Sequence, residues 1–258
     1  MEEDLKRIAL KAVKEGGAIL MKYLGKIKSI DYKGEINLVT EADRRSEEVI
    51  LNIIKDNYPD HRILAEETGE SGNFSPFKWI IDPLDGTTNY AHGYPCFCVS
   101  LAIEHEEEVI YGAVYDPVKD ELFTAEKGKG AFLNGKEIKT SSTKQLDQSL
   151  LCTGFPYDVR DDMDSNMINF RTFLMKAQAV RRDGSAALDL CYTAAGRFDG
   201  FWEQKLFPWD VAAGSLLVTE AGGKLSNFKG EKFNIYDTEI VASNGIIHQQ
   251  MIETLKPL

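Results

Sequence analysis

Trp79-Ile80-Ile81-Asp82-Pro83-Leu84-Asp85-Gly86-Thr87-Thr88-Asn89 is the stretch on which the reading of this chain turns. Its apolar lead predicts a buried strand, with Phe77 to Ile81 delivering the residues that follow. The strand is expected to end on Asp82, with Pro83 making a rigid turn onto a second acid, Asp85. Gly86-Thr87-Thr88 is expected to open a short helix whose free amides point at an anion, Gly86 permitting close backbone approach. An ordinary N-cap by Thr87 explains the hydroxyl but not the neighbouring acids. Two carboxylates, a hydroxyl and exposed amides at one strand end suit divalent cations and a phosphate better than a core.

Outward from this stretch, two more acids stand at the ends of rigid elements. Glu66, followed by Glu67, closes the predicted strand Arg62 to Ala65. Asp210 lies in the first turn of a predicted helix, Trp209 to Ala221, which has Pro208 at its start and Gly222-Gly223 at its end. Each has a bland reading of its own: Asp82 as a turn former, Asp210 as a cap or dipole partner, Glu66-Glu67 as a solvated face. Taken together they border apolar segments, where a carboxylate is less casually placed. Hard cations such as Mg²⁺ want such oxygen ligands.

The 258 residues, 43% of them hydrophobic, allow one compact unit with two lobes, roughly 1–145 and 146–258. The net charge of −11 argues against direct binding of nucleic acid, and requires that cations reverse the field if the substrate is a phosphate. The acidic start lacks a signal-peptide pattern, and no apolar run has the length of a membrane span. Cys96, Cys98, Cys152 and Cys191 form no CxxC pair. Zinc and structural disulfides are not expected, and a cytoplasmic location fits. The histidines do not cluster: His92 reads as structural, and His61, His105 and His248 as surface residues.

Apolar spacing predicts helices over 4–24 and from a Thr40 cap, with Asp43 as its capping-box partner, to Tyr58. Lys33-Gly34-Glu35 reads as a turn and Gly69 to Pro76 as a polar loop. Strands are expected at 97–103, 109–115 and 121–125, then a Gly-rich turn region, 128–135, with Asn134-Gly135 as its hairpin signal. The second half alternates: strand 150–155, helix 163–177, strand 178–182, helix 184–195, strand 198–203, helix 209–221, strand 240–242 and helix 246–255. The pattern suggests layered sheets and helices rather than a strict βαβ series.

The chain resembles the inositol monophosphatase family, within the lithium-sensitive, Mg²⁺-dependent phosphatases. The opening stretch matches the first family signature, and Trp209-Asp210-Val211-Ala212-Ala213-Gly214 through Glu220-Ala221-Gly222-Gly223 the second. Glu66-Glu67 and Leu38-Val39-Thr40-Glu41-Ala42-Asp43 match two further elements. Arg182-Asp183-Gly184-Ser185-Ala186-Ala187-Leu188-Asp189-Leu190 resembles the bacterial branch. The resemblance implies a mixed α+β fold, a layered αβαβα sandwich of the inositol monophosphatase/fructose-1,6-bisphosphatase type, and a homodimer. It implies a phosphoric monoester hydrolase acting on inositol 1-phosphate with two to three Mg²⁺ ions. Glu66, Asp82 and the Leu84 carbonyl are implied for one ion, and Asp82, Asp85 and Asp210 for a second. A third leans on Glu66. Water near Glu66 and Thr87 is the implied nucleophile, Asp43 orients Thr87, and Glu67 is a neighbour of the metal site. The implied substrate contacts are Asp85, Gly86, Thr87, Thr88, Gly184, Ser185, Ala186, Glu203 and Asp210. Gly184 and Ala186 read equally well as tight helix packing. Arg181 and Arg182 read either as contacts to a second anionic group or as surface pairs.

Asn37 stands where family members often carry Asp, and Lys33 matches a family loop lysine only loosely, which bears on the third ion. Rival activities within the superfamily are fructose-1,6-bisphosphatase and 3′-nucleotide or NADP phosphatase. A rival of another class is a partner protein of the transcription machinery.

Overall fold

The computed structural model describes residues 3–26, 30–32, 38–72, 74–156, 158–159 and 166–255, with backbone alone at 30–32 and 38–40. The expected turn at Lys33-Gly34-Glu35, Asn37, and the side chain of the Thr40 cap lie outside the described residues. In chain order the first half runs α1 (Glu3–Tyr23), β1 (Ile30–Tyr32), β2 (Leu38–Thr40), α2 (Glu41–Asn57), β3 (Arg62–Ala65), β4 (Gly69–Ser71), β5 (Phe77–Asp85), α3 (Thr87–Ala91), β6 (Cys98–His105), β7 (Glu108–Asp116), β8 (Glu121–Glu126), β9 (Gly130–Leu133) and β10 (Lys136–Ile138). The second half runs β11 (Leu150–Thr153), α4 (Met167–Lys176), β12 (Ala179–Arg181), α5 (Ala186–Ala194), β13 (Gly200–Gln204), α6 (Pro208–Glu220), β14 (Lys224–Ser226), β15 (Glu239–Ser243) and α7 (His248–Leu255).

Two large sheets organise most of these elements, while β1 and β2 pair antiparallel as a separate two-stranded sheet. An eight-stranded sheet has the order β10-β9-β8-β7-β6-β5-β3-β4, and a five-stranded sheet the order β12-β11-β13-β15-β14. Most neighbours are antiparallel, but β3 runs parallel to β5, and β11 parallel to β12 and β13. α1 and α2 cover one face of the large sheet, and α6 packs across β5 to β9 on the other. α5 lies beside α6, and both reach the small sheet, whose far side is covered by α4 and α7. The layers are the expected αβαβα. Each interlayer space has its own apolar cluster: Ile50, Ile54, Trp79 and Ile81 under α1 and α2; Leu190, Cys191, Phe201 and Leu217 between the sheets; Phe173, Trp202 and Met251 under α4 and α7. Fully burying side chains of this size contributes roughly 1.5–3 kcal/mol each, so the helices are held mainly by their apolar faces.

Several boundaries differ from the sequence reading. β5 does not stop at Asp82 but continues through Asp85, paired with β6 at Asp82↔Ser100 and again at Asp85↔Cys98. The irregularity falls between those pairs, where Pro83 is spared from donating to the ladder. Part of the supposed 69–76 loop pairs with β3 as β4, and the Gly-rich region forms β9 and leads into β10. The Asn134-Gly135 turn between them has both residues at positive φ, +49° and +76°, as a tight hairpin requires. β14 was not anticipated, because three residues hold too little pattern to read. Cys96 lies before β6, so it does not share a strand face with Cys98, and all four cysteines are free and buried. Among the described residues no helix is long and apolar enough to cross a membrane.

The histidines were misread. His61 accepts a hydrogen bond from Trp79 Nε1 at 3.0 Å and stacks between Tyr58 and Phe77. His105 is half-buried against Phe77, while His92 is exposed. His248 is buried, 2.9 Å from both Ser243 Oγ and Ser226 Oγ, and burial with Lys224 nearby pushes its pKa down to about 4. The unfolded chain therefore binds a proton between about pH 6.5 and 4 that the folded chain refuses, and stability is lost as pH falls through that window. We expect up to roughly 1.4 kcal/mol of loss per pH unit from this group. Urea unfolding of wild type and His248→Asn between pH 7 and pH 4 checks this: the variant should lose less stability on acidification, and parallel pH profiles would refute the assignment.

Candidate active site

The end of β5 is where the sequence motif becomes a site. Because β5 continues past Pro83, Asp82 and Asp85 are both held by a sheet rather than a loop, and are 2% and 9% exposed. Asp82 Oδ1 accepts the Leu84 N–H at 2.9 Å, and Ser46 of α2 donates to the Pro83 carbonyl at 2.9 Å. The bend is thus held from inside and from the neighbouring helix. Gly86 follows at φ +92°, and a Cβ there would lie 2.8 Å from the Cys96 carbonyl, so this turn demands glycine.

α3 begins at Thr87 with Gly86, not Thr87, in the capping position. Its first amides have no acceptor within the helix, and Gly86, Thr87 and Thr88 line the cleft. The Thr87 hydroxyl donates to the Leu84 carbonyl at 3.0 Å. Asp43, which the resemblance implied would orient Thr87, is buried on α2, with a carboxylate oxygen within 4.8 Å of those of Glu66 and Glu67.

A cleft of about 150 Å³ collects the predicted residues. Glu66, Asp82, Leu84, Asp85, Gly86, Thr87, Thr88, Gly184, Ser185, Ala186, Glu203 and Asp210 all line it. Burial raises the Asp82 pKa well above the usual carboxylate range, with Glu66, Asp85 and Asp210 pushing it further. Asp210 is raised well above it by burial and Asp85, against the Phe207 N–H that its carboxylate accepts at 2.7 Å. Asp85 is raised by burial but relieved by Ser185 and Ala187. Carboxylates crowded so that each raises its neighbours' pKa fit divalent cations, which would supply the missing positive charge.

Ser185 lines the cleft, but its hydroxyl proton is committed within the protein. It donates to Asp85 Oδ2 at 2.5 Å and caps α5, and the Ala187 N–H reaches the same oxygen at 2.8 Å. Besides lining the cleft, the residue ties the large sheet to α5 through a metal-ligand candidate. Glu203, on β13, is 8% exposed, and burial pushes its pKa up to about 8 while Arg182 pulls it back. Of the arginine pair, Arg182 lines the cleft and Arg181 turns outward to the Val180 carbonyl.

The arrangement matches known proteins over its full length. The sequence pattern of the inositol monophosphatase family fits residues 1–258.

The chain belongs to the inositol monophosphatase family.

An inositol-1-monophosphatase from Synechocystis sp. is 47% identical over 250 residues, 96% of this chain and 87% of that protein. A solved inositol monophosphatase from Anabaena (Nostoc) sp. superposes with a TM-score of 0.88 at 45% identity, covering 96% of this chain and 94% of that one. A Pseudomonas aeruginosa protein named Nus factor SuhB is 40% identical over 262 residues, 99% of this chain and 97% of its own length. Membership makes the chain a phosphoric monoester hydrolase.

Within this family frame, sequence reasoning missed the supports behind the acids. Glu47 is buried on α2 and accepts the Glu67 N–H at 2.9 Å, steadying the Glu66-Glu67 corner. The signal was legible: Asp43 and Glu47 are one turn apart, and with Ser46 they form a polar stripe flanked by the apolar Ile50 and Ile54. Gly154 was also missed. A Cβ there would collide with the Glu203 carboxylate, so glycine leaves the space that carboxylate occupies.

Proposed function

We propose that this phosphatase hydrolyses inositol 1-phosphate, or a closely similar polyol phosphate, with Mg²⁺ as its cofactor. The convergence of Glu66, Asp82, Asp85 and Asp210 on one cleft, beside unspent backbone amides, carries the reading. Glu66, Asp82, the Leu84 carbonyl, Asp85 and Asp210 are the groups that would hold the ions, with Asp82 central among them. When bound, the ions neutralise the phosphate oxygens and lower the pKa of a coordinated water.

The chain's own groups do the rest. The amides of Gly86, Thr87 and Thr88 receive the phosphate oxygens. Thr87 spends its one hydroxyl hydrogen bond as a donor on the Leu84 carbonyl, so its oxygen is left as an acceptor that orients a water. Glu66 takes the proton of that water. As the P–O bond to the alcohol breaks, the alcohol oxygen leaves on the Asp210 side and takes a proton from a second water there. Gly184, Ala186, Arg182 and Glu203 form the wall that meets the alcohol. Family resemblance supports a homodimer, which sedimentation equilibrium would test.

The substrate assignment is tested by comparing kcat/KM on inositol 1-phosphate, fructose 1,6-bisphosphate, NADP and a 3′-nucleotide at saturating Mg²⁺. Inositol 1-phosphate should lead; a larger value for another ester moves the assignment to that ester. The Pseudomonas relative's name favours a second reading, a partner of the transcription machinery. A pull-down with a catalytically inactive variant separates the two roles. A complete set of ligand residues is unnecessary for a pure binding module, which favours the enzyme.

A further inference from the structure

Asn89 follows the phosphate corner on α3 and is half-buried. Its side-chain nitrogen donates to the Cys96 carbonyl at 2.7 Å, the Asp183 carbonyl at 2.8 Å and the Gly184 carbonyl at 3.3 Å. All three partners are acceptors only, so the amide's nitrogen end must face them. One is the carbonyl against which Gly86 is packed. The other two belong to the short loop between β12 and α5. Gly184 sits there at φ +84°, and a Cβ on it would lie 2.7 Å from Arg182 Nη1 and 3.1 Å from Asn89 Nδ2. Arg182 is therefore folded over the very peptide that Asn89 holds.

The metal side of the cleft has a separate anchor. Asp85 is tied to α5 by Ser185 and Ala187, through bonds that do not involve Asn89. Two independent stitches join the halves of the site: one at the carboxylates, one at the alcohol wall.

We infer that Asn89 is a positioning residue for substrate choice. It fixes the 182–184 loop, and Arg182 upon it, at a set distance from the phosphate corner, so that the alcohol part of the ester is read against a rigid ruler. This rests on the reading of the cleft as a phosphatase site with residues 182–186 facing the alcohol. Asn89 itself touches no reacting atom.

The test compares wild type with Asn89→Ala and with the isosteric Asn89→Asp, which has no donor to offer the carbonyls. Two esters are used: inositol 1-phosphate, and phenyl phosphate, whose alcohol has no hydroxyls for the wall to read. Asn89→Ala should raise KM for inositol 1-phosphate about tenfold, while kcat/KM for phenyl phosphate stays within about twofold. Amide hydrogen exchange should quicken in 182–185 and stay unchanged in 82–88. Equal losses on both esters, or unchanged exchange in 182–185, overturn the inference while leaving the phosphatase reading intact. Failure of both variants to fold assigns Asn89 to the stability of the fold and also overturns it. A wild-type chain inactive on both esters overturns the functional reading, and this inference with it.

Discussion

Asp85→Asn is expected to lower kcat by about a thousandfold or more while the protein stays folded. Asp85 spends one oxygen on Ser185 and Ala187. Asparagine can present its carbonyl oxygen to the same two donors, so the stitch to α5 survives. Its amide nitrogen is then left facing Asp82 and Asp210, where it repels a cation instead of holding one. The loss should appear both in kcat and in the Mg²⁺ concentration needed for half-maximal rate. Steady-state kinetics across a Mg²⁺ series, with circular dichroism melting as the control for folding, make the measurement. A variant that turns over at near wild-type rate would remove Asp85 from the ligand set.

The second expected result concerns stability. Mg²⁺ should raise the unfolding midpoint, by an increment that grows with pH. Asp82, Asp85 and Asp210 all have raised pKa values in the metal-free fold, chiefly from burial, with like charge adding to Asp82 and Asp210. Above about pH 4 the unfolded chain has released protons that the folded chain still holds. Metal-free stability is therefore lost as pH rises through the raised folded values. Cations favour the ionised carboxylates and oppose that loss, and protons compete with them at lower pH. At a hundred times its dissociation constant a ligand adds about 2.7 kcal/mol per site. Thermal melts at pH 5 and pH 8, with chelator and with Mg²⁺, test the sign. The Mg²⁺ increment should be larger at pH 8 and nearly absent in Asp85→Asn, and the metal-free variant should be at least as stable as wild type at pH 8. An increment independent of pH and unaffected by the substitution contradicts the account.

The carboxylate corner was legible because its signals are local. Three apolar residues followed by Asp82-Pro83-Leu84-Asp85 place two acids at the end of a buried strand, whatever the strand's neighbours. Asp210 was legible from the proline-started apolar helix beneath it. What could not be read were bonds that cross the chain. Ser185 looks like a ligand contact or a cap in sequence, and only the packing of α5 against β6 delivers it to Asp85. His248 looks polar and terminal, yet the register of β14 and β15 closes two serines around it. Glu47 was within reach of the helical period, but a Glu among charged neighbours reads as solvated until α2 is seen to lie over β5. β4 and β14 escaped because a three-residue strand is fixed by its neighbour's ladder rather than by its own composition. The continuation of β5 past Pro83 escaped for a related reason: β6 re-pairs with it beyond the bulge.

The central claim is that the buried acids at the end of β5 hold cations that make the cleft a phosphomonoesterase. Phosphate release by the purified wild-type chain from inositol 1-phosphate, with Mg²⁺ and with chelator, tests it most directly. The account predicts release that is steep in Mg²⁺, absent with chelator and restored when Mg²⁺ is returned. Undiminished release in chelator, or none at any Mg²⁺ concentration across inositol, sugar and nucleotide phosphates, would contradict it.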